Sequence, residues 1–126
     1  MKFKWRAHQL PKEAKEIQDS TNDSACGVYV GFSRTRALKY VWSDSLTPGS
    51  YWPKVPGAYA IISKEMGEQN LGKWIEVTIN VPPDYLRYFG KPLEKHPIGI
   101  GILTDGNAVH QPVACDYKDF FISPTP

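Results

Sequence analysis

Residues 97–122 read PIGIGILTDGNAVHQPVACDYKDFFI, and the alternation inside this stretch decides what kind of fold to expect. Ile98, Ile100 and Ile102 recur at every second position, and Val113–Ile122 forms a second apolar run. Successive side chains of an extended chain point to opposite faces, so a period of two marks a strand with one buried face. Between the two runs stands Asp105-Gly106-Asn107, residues that favour turns because glycine and asparagine tolerate positive φ and aspartate bonds nearby backbone. The stretch therefore reads as two strands joined by a polar loop, with the isoleucine face in the centre of a β core.

Working outward, the same period appears repeatedly. Ile75, Val77, Ile79 and Val81 face inward within Lys73–Val81, with Glu76 and Thr78 opposed. Phe3, Trp5 and Ala7 alternate with Lys2, Lys4 and Arg6, and Ala58–Lys64 is again β in character. Cys26, Val28, Val30 and Phe32 share one face of a strand whose other face holds Gly27, Tyr29 and Gly31, a smooth surface on which something can pack closely. A basic turn, Arg34–Arg36, leads into a strand presenting Leu38, Tyr40 and Trp42 on one side.

Helix is scarce. Pro11–Gln18 offers only Ala14 and Ile17 as an apolar side, ahead of a turn-rich loop at Asp19–Ser24. Pro83–Phe89 begins with proline, carries an acid in its first turn and stops at Gly90, the pattern of a short helix. Ser43–Gly57 contains Pro48, Gly49, Pro53, Pro56 and Gly57, so it is expected to be irregular and excluded from the centre of a sheet. Seven short strands with so little helix predict an all-β antiparallel sandwich or jelly roll. At 126 residues, without repeats or linkers, one domain spanning 1–126 is expected.

Composition narrows the function classes. Fifteen Lys and Arg against 13 Asp and Glu give a net charge of +2, dispersed along the chain and too small for nucleic-acid binding by bulk electrostatics. A mean hydropathy of -0.40 without a long apolar run predicts no membrane-spanning helix. Met1–Arg6 alternates instead of offering the apolar run of a secretory signal, so either the protein is cytoplasmic or a leader has been removed. Cys26 and Cys115 lie in two predicted strands; buried free thiols are the favoured reading, with one disulfide as the alternative.

No nucleophile elbow, phosphate loop, zinc-spaced Cys/His group or dinucleotide motif occurs, so no cofactor and no catalytic set is expected. Asp105, Asn107, His110 and Asp116 carry donors suited to a hard cation, but the turn role accounts for Asp105 and Asn107. His8, His96 and His110 lack ligand spacing and a visible orienting partner, which marks them as surface histidines. Sugar rings stack their C–H faces on aromatic side chains, and a few polar groups fix their orientation. Tyr40, Tyr51, Trp52 and Tyr59, with Asp105 and Asn107 at a rim, are accordingly the candidate ligand-binding residues, whereas Trp42 and Trp74 are expected to fill or edge the core.

The runs NDSACGVYVGF at 22–32, LKYVW at 38–42, GKWIEVTINVPPDYLRYFG at 72–90, IGIGILTDGN at 98–107 and DYKDFFI at 116–122 together resemble the bacterial domain family DUF3047. The resemblance implies a galactose-binding-like jelly roll, the architecture of many carbohydrate-binding modules, and a periplasmic or otherwise exported location; it implies no activity. Relatives carry a longer acidic loop of the form TDTDNTG where this chain has Thr104-Asp105-Gly106-Asn107, and additional sequence before the position of Trp5. If the protein lacks that sequence, the sandwich is expected to expose an edge, pair it in a homodimer or borrow a strand. The expected function is non-catalytic glycan binding. The alternatives are protein interaction through a sheet edge and, third, glycan processing, which requires two convergent carboxylates.

Overall fold

The computed structural model describes residues 1–9, 26–43, 47–67, 69–93, 97, 99–102 and 114–121. The Pro11–Gln18 helix, the Asp19–Ser24 loop, Ile98, His96, Asp105, Asn107 and His110 lie outside the described residues. Within them, eight strands form two sheets with one short helix, the arrangement of an all-β sandwich.

The smaller sheet is antiparallel and has the order β6-β1-β8, built from β1 (Lys2–Gln9), β6 (Ile75–Thr78) and β8 (Ala114–Phe121). The larger has the order β4-β5-β3-β2-β7, from β2 (Cys26–Gly31), β3 (Ala37–Ser43), β4 (Tyr51–Val55), β5 (Tyr59–Met66) and β7 (Gly99–Ile102). β3 and β5 pair in parallel. The return needed for parallel pairing runs through β4, which hydrogen-bonds antiparallel to the far side of β5.

The core lies between the sheets. Phe3, Trp5 and Ala7 come from β1, Val77 from β6, and Cys26, Val28, Val30, Leu38, Tyr40, Trp42, Ala60 and Ile62 from the larger sheet. Trp5 is central, with ring centroids 5.3 Å from Phe3 and 6.2 Å from Trp42. Each large side chain buried in this way stabilises the fold by roughly 1.5–3 kcal/mol relative to exposure. Lys39, Val41 and Ser43 are buried as well, so β3 is enclosed on both faces.

The segment 97–122 departs from the expected hairpin. β7 pairs with β2 and β8 pairs with β1, so its two strands belong to different sheets. Ile100 and Ile102 are 43% and 54% exposed rather than central: their parity directs them to the core face, but an edge strand has a neighbour on one side only. In β8, Asp119 adopts a left-handed φ of 57° where the pairing register shifts. That bulge reverses the alternation and lets Phe120 stack on Phe3 at 5.1 Å, leaving Phe121 outside.

Two further expectations are corrected. Residues 51–55 are a regular strand, β4, although Pro53 lies within it. An edge position and the register shift between Trp52 and Val55 accommodate the missing N–H. Cys26 and Cys115 form a disulfide, with Cα atoms 5.5 Å apart, rather than remaining free thiols. The alternation that buries Cys26 in β2 and turns Cys115 inward from β8 brings the two sulfurs together between the sheets.

Helix α1 (Val81–Phe89) starts two residues earlier than its pattern predicts, with prolines in its first turn. It ends at Gly90, whose φ of 77° suits glycine, and the Gly90 N–H donates to the Leu86 carbonyl. Tyr85, buried on its inner face, meets Phe32 edge-on at 4.8 Å.

Candidate functional site

Sheet parity divides the four aromatic candidates into two pairs. Val28, Tyr40, Ile62 and Tyr51 form one cross-strand row, and Tyr29, Lys39, Ile61 and Trp52 form the neighbouring row on the opposite face. Tyr40 is fully buried on the core face, and its hydroxyl donates to Asp84 Oδ2 at 2.7 Å. Burial, reinforced by the Asp84 carboxylate, pushes that hydroxyl far above the ordinary tyrosine range. Tyr40 is therefore a structural residue that ties α1 to the sheet. Tyr51, on the same side, packs against Tyr88 at 4.6 Å and keeps 44% of its surface exposed.

Trp52 and Tyr59 lie on the other face. The Lys54 ammonium is 5.9 Å from each of their ring centroids, spanning the two. Tyr59 in turn stacks with Tyr29 at 6.2 Å, and the Tyr59 hydroxyl donates to that of Tyr29 at 3.3 Å. The two tyrosines are on strands separated by β3 and meet because the intervening side chain in the Tyr59 row is the small Ala37. Gly31 completes that row, so the bare face of β2 leaves room for the rings. Burial first, then the bond to Tyr29, raises the Tyr59 hydroxyl well above its usual range.

A cleft of about 340 Å³ opens beside this pair. Tyr29, Ala37, Ala58 and Tyr59 line it together with the turn residues 33–36. That turn is held by the Phe32 N–H donating to the Arg36 carbonyl at 2.9 Å and by the Thr35 N–H donating to Ser33 Oγ at 3.2 Å. Arg36 is oriented by donating to the Tyr85 hydroxyl at 3.0 Å. Lys39, only 4% exposed, places its ammonium 5.3 Å from the Tyr29 ring centroid. The cleft thus combines two tyrosines and two alanines with the hydroxyl- and guanidinium-bearing residues of the turn.

A second polar cluster lies on the outer face of the smaller sheet. Asp116 accepts from His8 Nε2 at 2.6 Å and from Arg6 Nη2 and Nε at 2.8 and 3.2 Å. The bonds from His8 and then Arg6 hold its carboxyl below the usual carboxylate range. His8 thus has a partner that its local sequence does not reveal, supplied by β1–β8 pairing. Trp74 is not core: Arg6 lies 4.5 Å and Lys118 4.0 Å from its ring centroid. These charged groups satisfy one another across neighbouring strands, which describes a solvated sheet face.

Among the described residues no group of three or more His, Cys, Asp or Glu side chains converges to hold a metal, and no helix is long and apolar enough to cross a membrane. Asp116, from the proposed cation group, is engaged by Arg6 and His8, while Asp105, Asn107 and His110 fall outside the description. Trp52 and Tyr59, both expected as ligand-binding candidates, are half-buried on one sheet face, and Tyr29, Arg34, Arg36, Lys39 and Lys54, which were not among the candidates, lie on or beside that face. The basic turn and the glycine-flanked Tyr29 were the available signals.

No curated protein and no solved structure matches the chain. Residues 1–121 match the family described as Protein of unknown function (DUF3047). The match covers nearly the whole sequence, and on that basis this two-sheet β protein belongs to the DUF3047 family.

Proposed function

We propose that this chain is a non-catalytic carbohydrate-binding domain, analogous to galactose-binding-like modules, in which Trp52, Tyr59 and Tyr29 receive a glycan. The observation that carries this reading is the half-buried aromatic strip on one sheet face, continuous with a hydroxyl- and guanidinium-lined cleft. Aromatic faces supply the apolar contact for sugar C–H groups, and the Ser33, Thr35 and tyrosine hydroxyls supply the orienting hydrogen bonds. Among the described residues the cleft lining holds hydroxyls and guanidiniums and no carboxylate, which supports binding over the two-carboxyl chemistry of glycan processing. The Cys26–Cys115 disulfide is of the kind that persists in oxidising compartments, which supports an exported protein.

In titrations against a broad panel of oligosaccharides followed by tryptophan fluorescence, binding is expected for the domain. Trp52→Ala is expected to weaken it at least about tenfold, equivalent to roughly 1.4 kcal/mol, with little change in melting temperature because β4 is an edge strand. A silent panel would overturn the reading.

The open edge of β7 favours a second reading, association through strand pairing. All four β7 residues are exposed, and among the described residues the strand pairs only with β2. A flat edge bearing exposed Ile100 and Ile102 suits addition of a strand from a second copy. Sedimentation velocity should then reveal a dimer that Ile100→Lys dissociates; a monomer at high concentration removes this reading.

A further inference from the structure

We infer that the saccharide taken by this site is anionic, with its oxyanion seated against Arg34 and Arg36 and its sugar ring on the Tyr59–Trp52 aromatic surface. This rests on the glycan reading and adds the charge of the ligand.

The whole chain carries only +2, and two cations of the smaller sheet have carboxylate partners: Lys4 lies 3.7 Å from Asp119, and Arg6 2.8 Å from Asp116. Around the Tyr29–Tyr59 pair the pattern reverses. Arg34 and Arg36 line the cleft, and among the described residues no carboxylate lines it with them. Among the described residues neither arginine, nor Lys39, is within ion-pair distance of an acid. Arg36 instead donates to the neutral Tyr85 hydroxyl, and Lys39 rests on the face of Tyr29.

Lys39 is the second, independent observation. An ammonium withdrawn from water is disfavoured unless something of opposite charge approaches it. Cation–π contact with Tyr29 offsets part of that deficit and at the same time makes the tyrosine ring a cation-backed platform. The field along the cleft therefore favours an incoming anion, and like charges on Arg34 and Arg36 disfavour a cationic one. Guanidinium groups present paired N–H donors that match carboxylate and other oxyanions. Ser33 and Thr35 hydroxyls, 3.5 Å apart in the same turn, are positioned to bond either the oxyanion or an adjacent sugar hydroxyl. A cleft of about 340 Å³ is on the scale of a single sugar unit with its acidic substituent.

Calorimetric titration of the full chain with a galacturonate oligosaccharide, a sulfated galactan oligosaccharide, a neutral galactose oligosaccharide and inorganic sulfate tests this. At least one acidic saccharide should bind about tenfold or more tightly than the neutral one. Arg34→Gln, and the Arg34→Gln/Arg36→Gln double variant if the single change is silent, should weaken binding of the acidic saccharide about tenfold or more beyond any effect on the neutral one, so that the preference is lost. The two acidic oligosaccharides distinguish carboxylate from sulfate ester as the anion. Equal affinity for neutral and acidic saccharides, or a double variant that keeps the preference, overturns the inference while the glycan reading survives. Inorganic sulfate binding as tightly as the acidic saccharides also overturns it, because the sugar would then contribute nothing. Failure of every saccharide to bind removes both readings.

Discussion

Replacing Cys26 and Cys115 together by alanine is expected to lower the unfolding free energy by about 4–5 kcal/mol, the largest effect of any change considered for this domain. The cysteines are 89 residues apart in sequence, and a cross-link that closes a loop of this length removes on the order of 4–5 kcal/mol of conformational freedom from the unfolded chain in the loop-entropy description. The bridge joins β2 of the larger sheet to β8 of the smaller, so its loss also releases a tether between the two layers of the sandwich. Typical domains are stable by only 5–15 kcal/mol, and a loss of this size leaves little margin. Urea denaturation followed by circular dichroism measures it directly. A reducing agent should destabilise the wild-type protein by a similar amount and leave the double-alanine variant unaffected; a difference below about 1 kcal/mol between the two proteins would contradict the expectation.

The second large effect concerns the two tryptophans that meet between the sheets. Trp5→Ala and Trp42→Ala should each cost about 3–5 kcal/mol, the range for truncating a buried large aromatic, since both are 0% exposed. The phenylalanine variants separate the ring from its N–H. Trp42 Nε1 donates to the Gly67 carbonyl at 3.0 Å, so Trp42→Phe loses a buried hydrogen bond and leaves its acceptor without this donor, at about 1–3 kcal/mol. Trp5 Nε1 is buried without a hydrogen-bond partner; Trp5→Phe removes volume but also removes an unsatisfied polar group, and the two effects oppose each other. Trp42→Phe is therefore expected to be the more destabilising of the pair in denaturant titrations read by circular dichroism. The reverse order would show that packing volume at Trp5 outweighs the N–H.

The candidate site shows the same division between local and long-range information. Trp52 is a candidate on local grounds, because it stands in a stretch rich in proline and glycine that is excluded from the centre of a sheet. Its neighbours Tyr29 and Tyr59 are 30 residues apart in the chain, and their stacking depends on β5 lying parallel beside β3, an arrangement for which nothing in either strand's own residues provides a signal. Tyr40 shows the converse. As an isolated tyrosine it is an equally good ligand-binding candidate, and it is removed from the surface by the helix that covers its face and the Asp84 carboxylate that takes its hydroxyl proton bond.

What the sequence by itself determined are the strands and their inward faces. Phe3, Trp5 and Ala7, Cys26, Val28 and Val30, and Leu38, Tyr40 and Trp42 are buried as their period of two requires, because side-chain direction in an extended chain is a local property of the backbone. Only the tertiary structure decided which strands became edges, which sheet each joined, and which sulfurs met. Alternation says that a side chain points away from water but not what it will find there. Thus Ile100 and Ile102 carry a core pattern yet stay exposed on a strand that, among the described residues, pairs only with β2, Cys26 finds Cys115 across the sandwich, and Arg34, Arg36 and Lys39, unremarkable along the chain, come to lie beside one pair of tyrosines.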